Sequence, residues 1–124
     1  MPNSEDRLSP CPSSPNCVSS LARDRKHAIE PLRYSGSRDE ARQRLIGILD
    51  KLARVNVALA ETDYIHAEFR SLIFRFVDDV EFLLPEKGNI IHVKSASRVG
   101  YSDLGANRKR VERIRSVFES RRNQ

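Results

Sequence analysis

The hydrophobic period of the chain changes near Arg54, and that change limits the folds open to it. Before it, apolar side chains fall at Ala41, Leu45, Ile48, Leu49 and Leu52, the spacing of a helix with one buried face. After it, Val55, Val57 and Leu59 alternate with smaller or polar residues, and so do Ile65, Ala67 and Phe69. Val80, Phe82 and Leu84 repeat the pattern, followed by Ile91, Val93 and Ser95. Period two puts alternate side chains on opposite faces of a strand. The links between these runs are too short for crossover helices, so neighbouring strands should run antiparallel. Pro85-Glu86-Lys87-Gly88-Asn89 has the turn chemistry of a five-residue hairpin loop. The stretch 71–78, with Ile73, Phe74 and Phe76, fits either a continuing strand or an irregular buried segment.

Two helices flank the alternating region. Ser37 with Glu40 three residues later is a capping box, so a helix is expected over 38–53. Ser102 or Asp103 caps a second one over 103–121, where Leu104, Val111, Ile114 and Phe118 fall in one stripe that should pack on the sheet. Asn107 lies in the middle of that stripe, and a buried amide without partners costs about 1–3 kcal/mol. Asp103 and Arg110 lie along one edge of the stripe and Arg108 along the other. Residues 28–34 suit a short edge strand, because Pro31 lacks the N–H that a central strand needs. Residues 1–23 hold four of the six prolines and read as an extended Pro/Ser-rich arm. At 124 residues there is room for one core. The expected architecture is α+β: an antiparallel sheet of about four strands, two main helices on one face, an arm over 1–23 and a single domain over 24–124.

Charge and hydropathy restrict function. No apolar run approaches the length of a membrane span, and Met1–Pro10 lacks the apolar stretch of a signal peptide, so a cytoplasmic location is expected. From Leu104 to Gln124 there are seven basic and two acidic residues, so this segment carries the whole net charge of +5. A basic helix attracts nucleic acid, anionic lipid or an acidic partner, or simply presents a solvated face. Nucleic acid is disfavoured by an aromatic content of 6% and the absence of Trp, since stacking platforms need rings.

Chemistry-bearing residues are few. Cys11 and Cys17 stand in a Pro-rich loop, where a disulfide is sterically feasible and would pin the arm. A cytosolic chain would instead keep them mostly reduced. Two thiols without a C-x-x-C are too few for structural zinc unless histidines join them. His66 and Glu68 share a strand face, and with His92 they would make three ligands if they converged; the plainer reading is exposed strand residues that stay apart. Asp78-Asp79 reads as a bulge or turn in preference to a paired-carboxylate catalytic site, since adjacent carboxylates on an extended strand point to opposite faces. There is no P-loop, nucleophile elbow or dinucleotide fingerprint. No cofactor or metal is called, and an enzyme is disfavoured.

The segment Ser95–Arg110 is the best site candidate. Arg98 ends a strand, Gly100 permits a close turn, and the free N–H groups of the next helix lie nearby, an arrangement that suits an anion. Asp103 is itself an anion placed to satisfy those groups, which favours an internal network in which it pairs with Arg98 or Arg108 while Asn107 bonds nearby backbone. The candidate ligand-binding set is Arg98, Tyr101, Asp103, Asn107, Arg108 and Arg110, with Asn16 contributed by the arm. Three stretches, Cys11–Ser20, Phe76–Phe82 and Ser95–Arg110, resemble in order the motifs of the bacterial and plastid proteins grouped as domain of unknown function 1499. The resemblance implies no particular activity; many such proteins carry a hydrophobic N-terminal extension that this sequence does not show. The expected function is a non-catalytic accessory or binding module recognising a protein or small anionic ligand near Arg98–Arg110. The alternatives are nucleic-acid binding through the basic helix, or a thiol- or metal-dependent enzyme.

Overall fold

The computed structural model describes residues 7–72, 76–100 and 103–121, so Ile73, Phe74, Tyr101 and Ser102 lie outside the described residues. In chain order the elements are β1 (Cys17–Ser19), β2 (Leu32–Arg33), α1 (Arg38–Lys51), β3 (Val55–Ala60), β4 (Tyr64–Arg70), β5 (Val77–Leu83), β6 (Ile90–Ser97) and α2 (Ala106–Arg121). The capping box forms: Ser37 Oγ accepts from the Glu40 N–H, and the Glu40 carboxylate accepts from the Ser37 N–H. No described helix is long and apolar enough to cross a membrane.

The sheet runs β1-β6-β5-β4-β3 with antiparallel neighbours, and β2 also pairs with β6. It therefore has six strands where about four were expected. The two further strands are three and two residues long: β1 is too short to show an alternating pattern, and β2 falls within the edge strand expected over 28–34. β1 pairs with residues 94–96 of β6 and β2 with residues 90–91, so the chain touches that edge twice and loops out between. Pro31 stands just before β2, where its missing N–H costs no ladder bond.

Register decides which side chains share a face. Val80 lies between Ala67 and Ser95, Phe82 between Ile65 and Val93, and Asp78 between Phe69 and Ser97. This face meets both helices, and its apolar members join Leu45, Leu49, Val111 and Phe118 in the main core. Each large apolar side chain so buried contributes about 1.5–3 kcal/mol. The opposite face carries Tyr64, His66, Glu68, Asp79, Glu81 and Lys94. Part of it is covered by the N-terminal segment, where Leu8 packs with Tyr64, Leu83 and Leu21.

Two expectations about α2 change. Its first turn begins at Ala106, not at Asp103, because Leu104 and Gly105 adopt φ of +54° and +80° and form a turn. Leu104 therefore leaves the helical stripe and is 88% exposed. In α1, Arg44 stacks its guanidinium over the Phe118 ring at 4.6 Å, while its Nε and Nη2 are buried without partners among the described residues.

Cys11 and Cys17 are bonded, with Cys17 fully buried in β1. The bond ties the loop to the sheet edge and restricts the unfolded chain. Closing a loop this short is worth about 2 kcal/mol by chain entropy. Reduction under native conditions is expected to lower stability by about that amount in urea titrations. An unchanged midpoint would show that the bond does not constrain the arm.

Candidate functional site

Asn107 is fully buried and occupies the junction of α2, β6 and the N-terminal segment. The two hydrogens of its Nδ2 are shared among Asp103 Oδ2 at 2.7 Å, Ser97 Oγ at 2.9 Å and the Asn16 carbonyl at 3.1 Å. Its Oδ1 accepts from Ser95 Oγ at 2.6 Å and Arg110 Nη1 at 2.8 Å. Arg110 continues the network, pairing with Asp78 at 2.7 Å and lying over the Phe69 ring. Asn16, itself buried, donates to the Gly100 carbonyl at 2.6 Å, and its carbonyl also accepts from the Ser97 N–H. Asp103 accepts from the N–H groups of Gly105 and Asn107, satisfying free donors of the α2 start. Burial opposes ionisation of Asp103, but the bonds from Asn107 and Gly105 prevail and hold its carboxyl below the usual range.

Arg98 lies elsewhere, on the opposite face of the sheet. Its guanidinium grips Asp79 through two hydrogen bonds, at 2.7 and 2.9 Å, and reaches Glu68 at 2.8 Å. His66 Nε2 lies 2.7 Å from Asp79 Oδ1. The Arg98 bond, opposed by burial and aided by His66, holds the Asp79 carboxyl below its usual range. Arg98 and Asn56 do the same for Glu68. His66, Glu68 and Asp79 offer ligand atoms within 4.8 Å of one another, so the trio that gathers contains Asp79 in place of His92. His92 instead lies 3.1 Å from Ser20 Oγ, two strands from His66. The adjacent Asp78 and Asp79 do not form the expected bulge or turn but pair regularly within β5 and serve opposite faces.

The structure thus brings Asn16, Asp103, Asn107 and Arg110 together and leaves Arg98 apart. Arg108 donates to the carbonyls of Ala28 and Lys26, fastening α2 to the loop before β2. Tyr101 is outside the described residues.

A cavity of about 290 Å3 opens between the end of α1, α2 and the start of the β3–β4 edge. Arg54, Arg70, Arg110 and Arg113 line it together with apolar side chains, and among the described residues no acidic one does. Among the described residues, Arg110 alone of the four arginines has a carboxylate partner. Arg54, Arg70 and Arg113 were not singled out in the sequence. A signal existed for Arg113, which has no acidic residue three or four positions away on α2. Nothing local marks Arg54 or Arg70.

Over residues 7–118 the sequence matches the family described as protein of unknown function (DUF1499). The chain belongs to that family. No curated protein and no solved structure matches it. The DUF1499 match spans every residue of the Asn107 network, the Arg98 cluster and the cavity.

Replacing Asn107 with Leu in this DUF1499 chain keeps the branch at Cγ but removes the amide bonds to Ser95, Ser97, Asp103, Arg110 and the Asn16 carbonyl. A loss of about 3 kcal/mol is expected by denaturant titration, and a change below about 1 kcal/mol would show that the network relaxes freely. The Arg98 cluster predicts a pH effect. A depressed carboxyl stabilises the fold above its ordinary pKa, and that stability is lost as pH falls through the folded value. The stability advantage of the native chain over Arg98→Gln should therefore be full at pH 7 and shrink below about pH 4. Urea midpoints at both ends of that range check it; an advantage constant with pH would count against the assignment.

Proposed function

We propose that the protein is a non-catalytic binding module for a small anionic ligand, seated in the cavity whose wall includes Arg110. The observation carrying this reading is that Arg54, Arg70 and Arg113 line one concave site that holds no carboxylate among the described residues. Like charges held together repel, and an anion relieves that repulsion while accepting charge-assisted hydrogen bonds. The lining contains only arginine and apolar residues, so it supplies no nucleophile and no group that exchanges protons near neutral pH. Binding, not catalysis, is what such a wall can do.

The basic helix supports nucleic acid less well than its charge suggests. Arg108 and Arg115 donate to backbone carbonyls, and Arg110 pairs with Asp78. Those guanidinium groups are committed within the fold and would have to break internal bonds to reach phosphates. The Cys11–Cys17 bond also bears on location, because such bonds persist in oxidising compartments and are rare in the cytosol. It supports work outside the reducing cytosol.

Acetate and inorganic phosphate, titrated separately into labelled protein, test the reading. Amide shifts should centre on Arg54, Arg70 and Arg113, weaken with added salt, and lose about tenfold in affinity in Arg113→Gln. Shifts centred on Arg98 and His66, or steeply salt-dependent binding of a duplex oligonucleotide without a cavity response, would overturn it.

A further inference from the structure

We infer that the cavity between α1 and α2 takes an amphiphilic monocarboxylate of about ten non-hydrogen atoms, a medium-chain alkanoic or aryl-alkanoic acid. This rests on the reading of the cavity as an anion site and specifies the body that carries the charge. The wall divides by chemistry. Ile48, Leu52, Val55, Phe69, Ile114 and Val117 supply its apolar part. Ile48 and Ile114 belong to the buried core whereas Val117 is 38% exposed, so this lining runs continuously from core to surface. Arg54, Arg70 and Arg113 are exposed and form the charged rim.

An inorganic anion would satisfy the rim and leave the apolar lining wet. An uncharged hydrocarbon would cover the lining and leave the charge of the rim unanswered. A carboxylate on an aliphatic or aromatic body does both, with the head held by the planar donor fork of an arginine. Size narrows the choice: a volume of about 290 Å3 is at the lower end for ligand pockets and too small for a diacyl lipid. Octanoate, with about ten non-hydrogen atoms, is a body on the scale that such a cleft admits.

Arg54 provides a test that separates binding from folding. Its φ is +62°, a left-handed conformation that glycine adopts without a side-chain penalty. Arg54→Gly should therefore leave the thermal midpoint unchanged or raise it, while removing one head-group donor.

The experiment is calorimetric titration of the full chain with octanoate, acetate, 1-octanol and inorganic phosphate. Each methylene buried multiplies affinity by about fourfold, so octanoate should bind at least roughly a hundredfold tighter than acetate. Octanol should bind at least about tenfold more weakly than octanoate, and Arg54→Gly and Arg113→Gln should each weaken octanoate by about tenfold. Acetate or phosphate binding as tightly as octanoate would overturn the amphiphile while leaving the anion site standing. Octanol matching octanoate, octanoate binding indifferent to both variants, or no binding by any of the four would overturn the inference, and the last would also remove the anion reading.

Discussion

A single primary amide connects three parts of this fold, one of them 91 residues away in sequence. Asn107 presents hydrogen to Asn16 in the N-terminal segment, to Ser97 in β6 and to Asp103 before α2, and presents oxygen to Ser95 and Arg110. An apolar residue would fill the space and satisfy none of these groups. Ser or Thr would offer a hydroxyl, with one hydrogen, where several acceptors converge. Because the cluster is buried, each bond is stronger than in water and each missing partner is costlier. The position of the N-terminal segment follows from this: Asn16 is held at both its carbonyl and its side chain, and the Cys11–Cys17 bond restrains the loop just ahead of it.

The sheet separates two electrostatic problems. On the helix side, Asp78 is answered by Arg110, which also belongs to the Asn107 network. On the other side, Glu68 and Asp79 sit beside one another across the β4–β5 register and would repel without Arg98. The alternation of a strand makes both pairings possible from adjacent residues, one aspartate reaching through to each face. Arg98 is thereby committed to two carboxylates in place of a ligand, and the cation that fills the gap between them is part of the chain itself.

Much of this was legible and some was not, for identifiable reasons. Period two marked β3 to β6, and the capping box marked α1, because both signals are local. The polar interruption at Asn107 pointed to a buried network, since a polar residue within an apolar stripe must be bonded. Leu104 misled because helical spacing says nothing about where a helix begins; a left-handed residue followed by Gly105 stops the pattern short. β1 escaped because three residues in a Pro-rich stretch gain strand geometry only from β6 beside them. The cavity was invisible because its arginines come from the α1–β3 turn, the end of β4 and the middle of α2.

The location of the surplus charge follows from which arginines have internal acceptors. A net charge of +5 looks in the sequence like a property of α2 alone. In three dimensions Arg108, Arg110 and Arg115 spend their donors on carbonyls, Asp78, Asn107 and Glu112, holding α2 against the rest of the molecule. Arg113 instead lines one cavity with Arg54 and Arg70, which come from other elements. The field that a ligand would feel is therefore set by three residues from three elements, not by the basic run as a whole. Their convergence depends on how α1 and α2 pack against one edge of the sheet, and the Asn107 network fixes the start of α2. A buried asparagine and an exposed arginine rim are thus linked through the rigid helix that carries both Asn107 and Arg113.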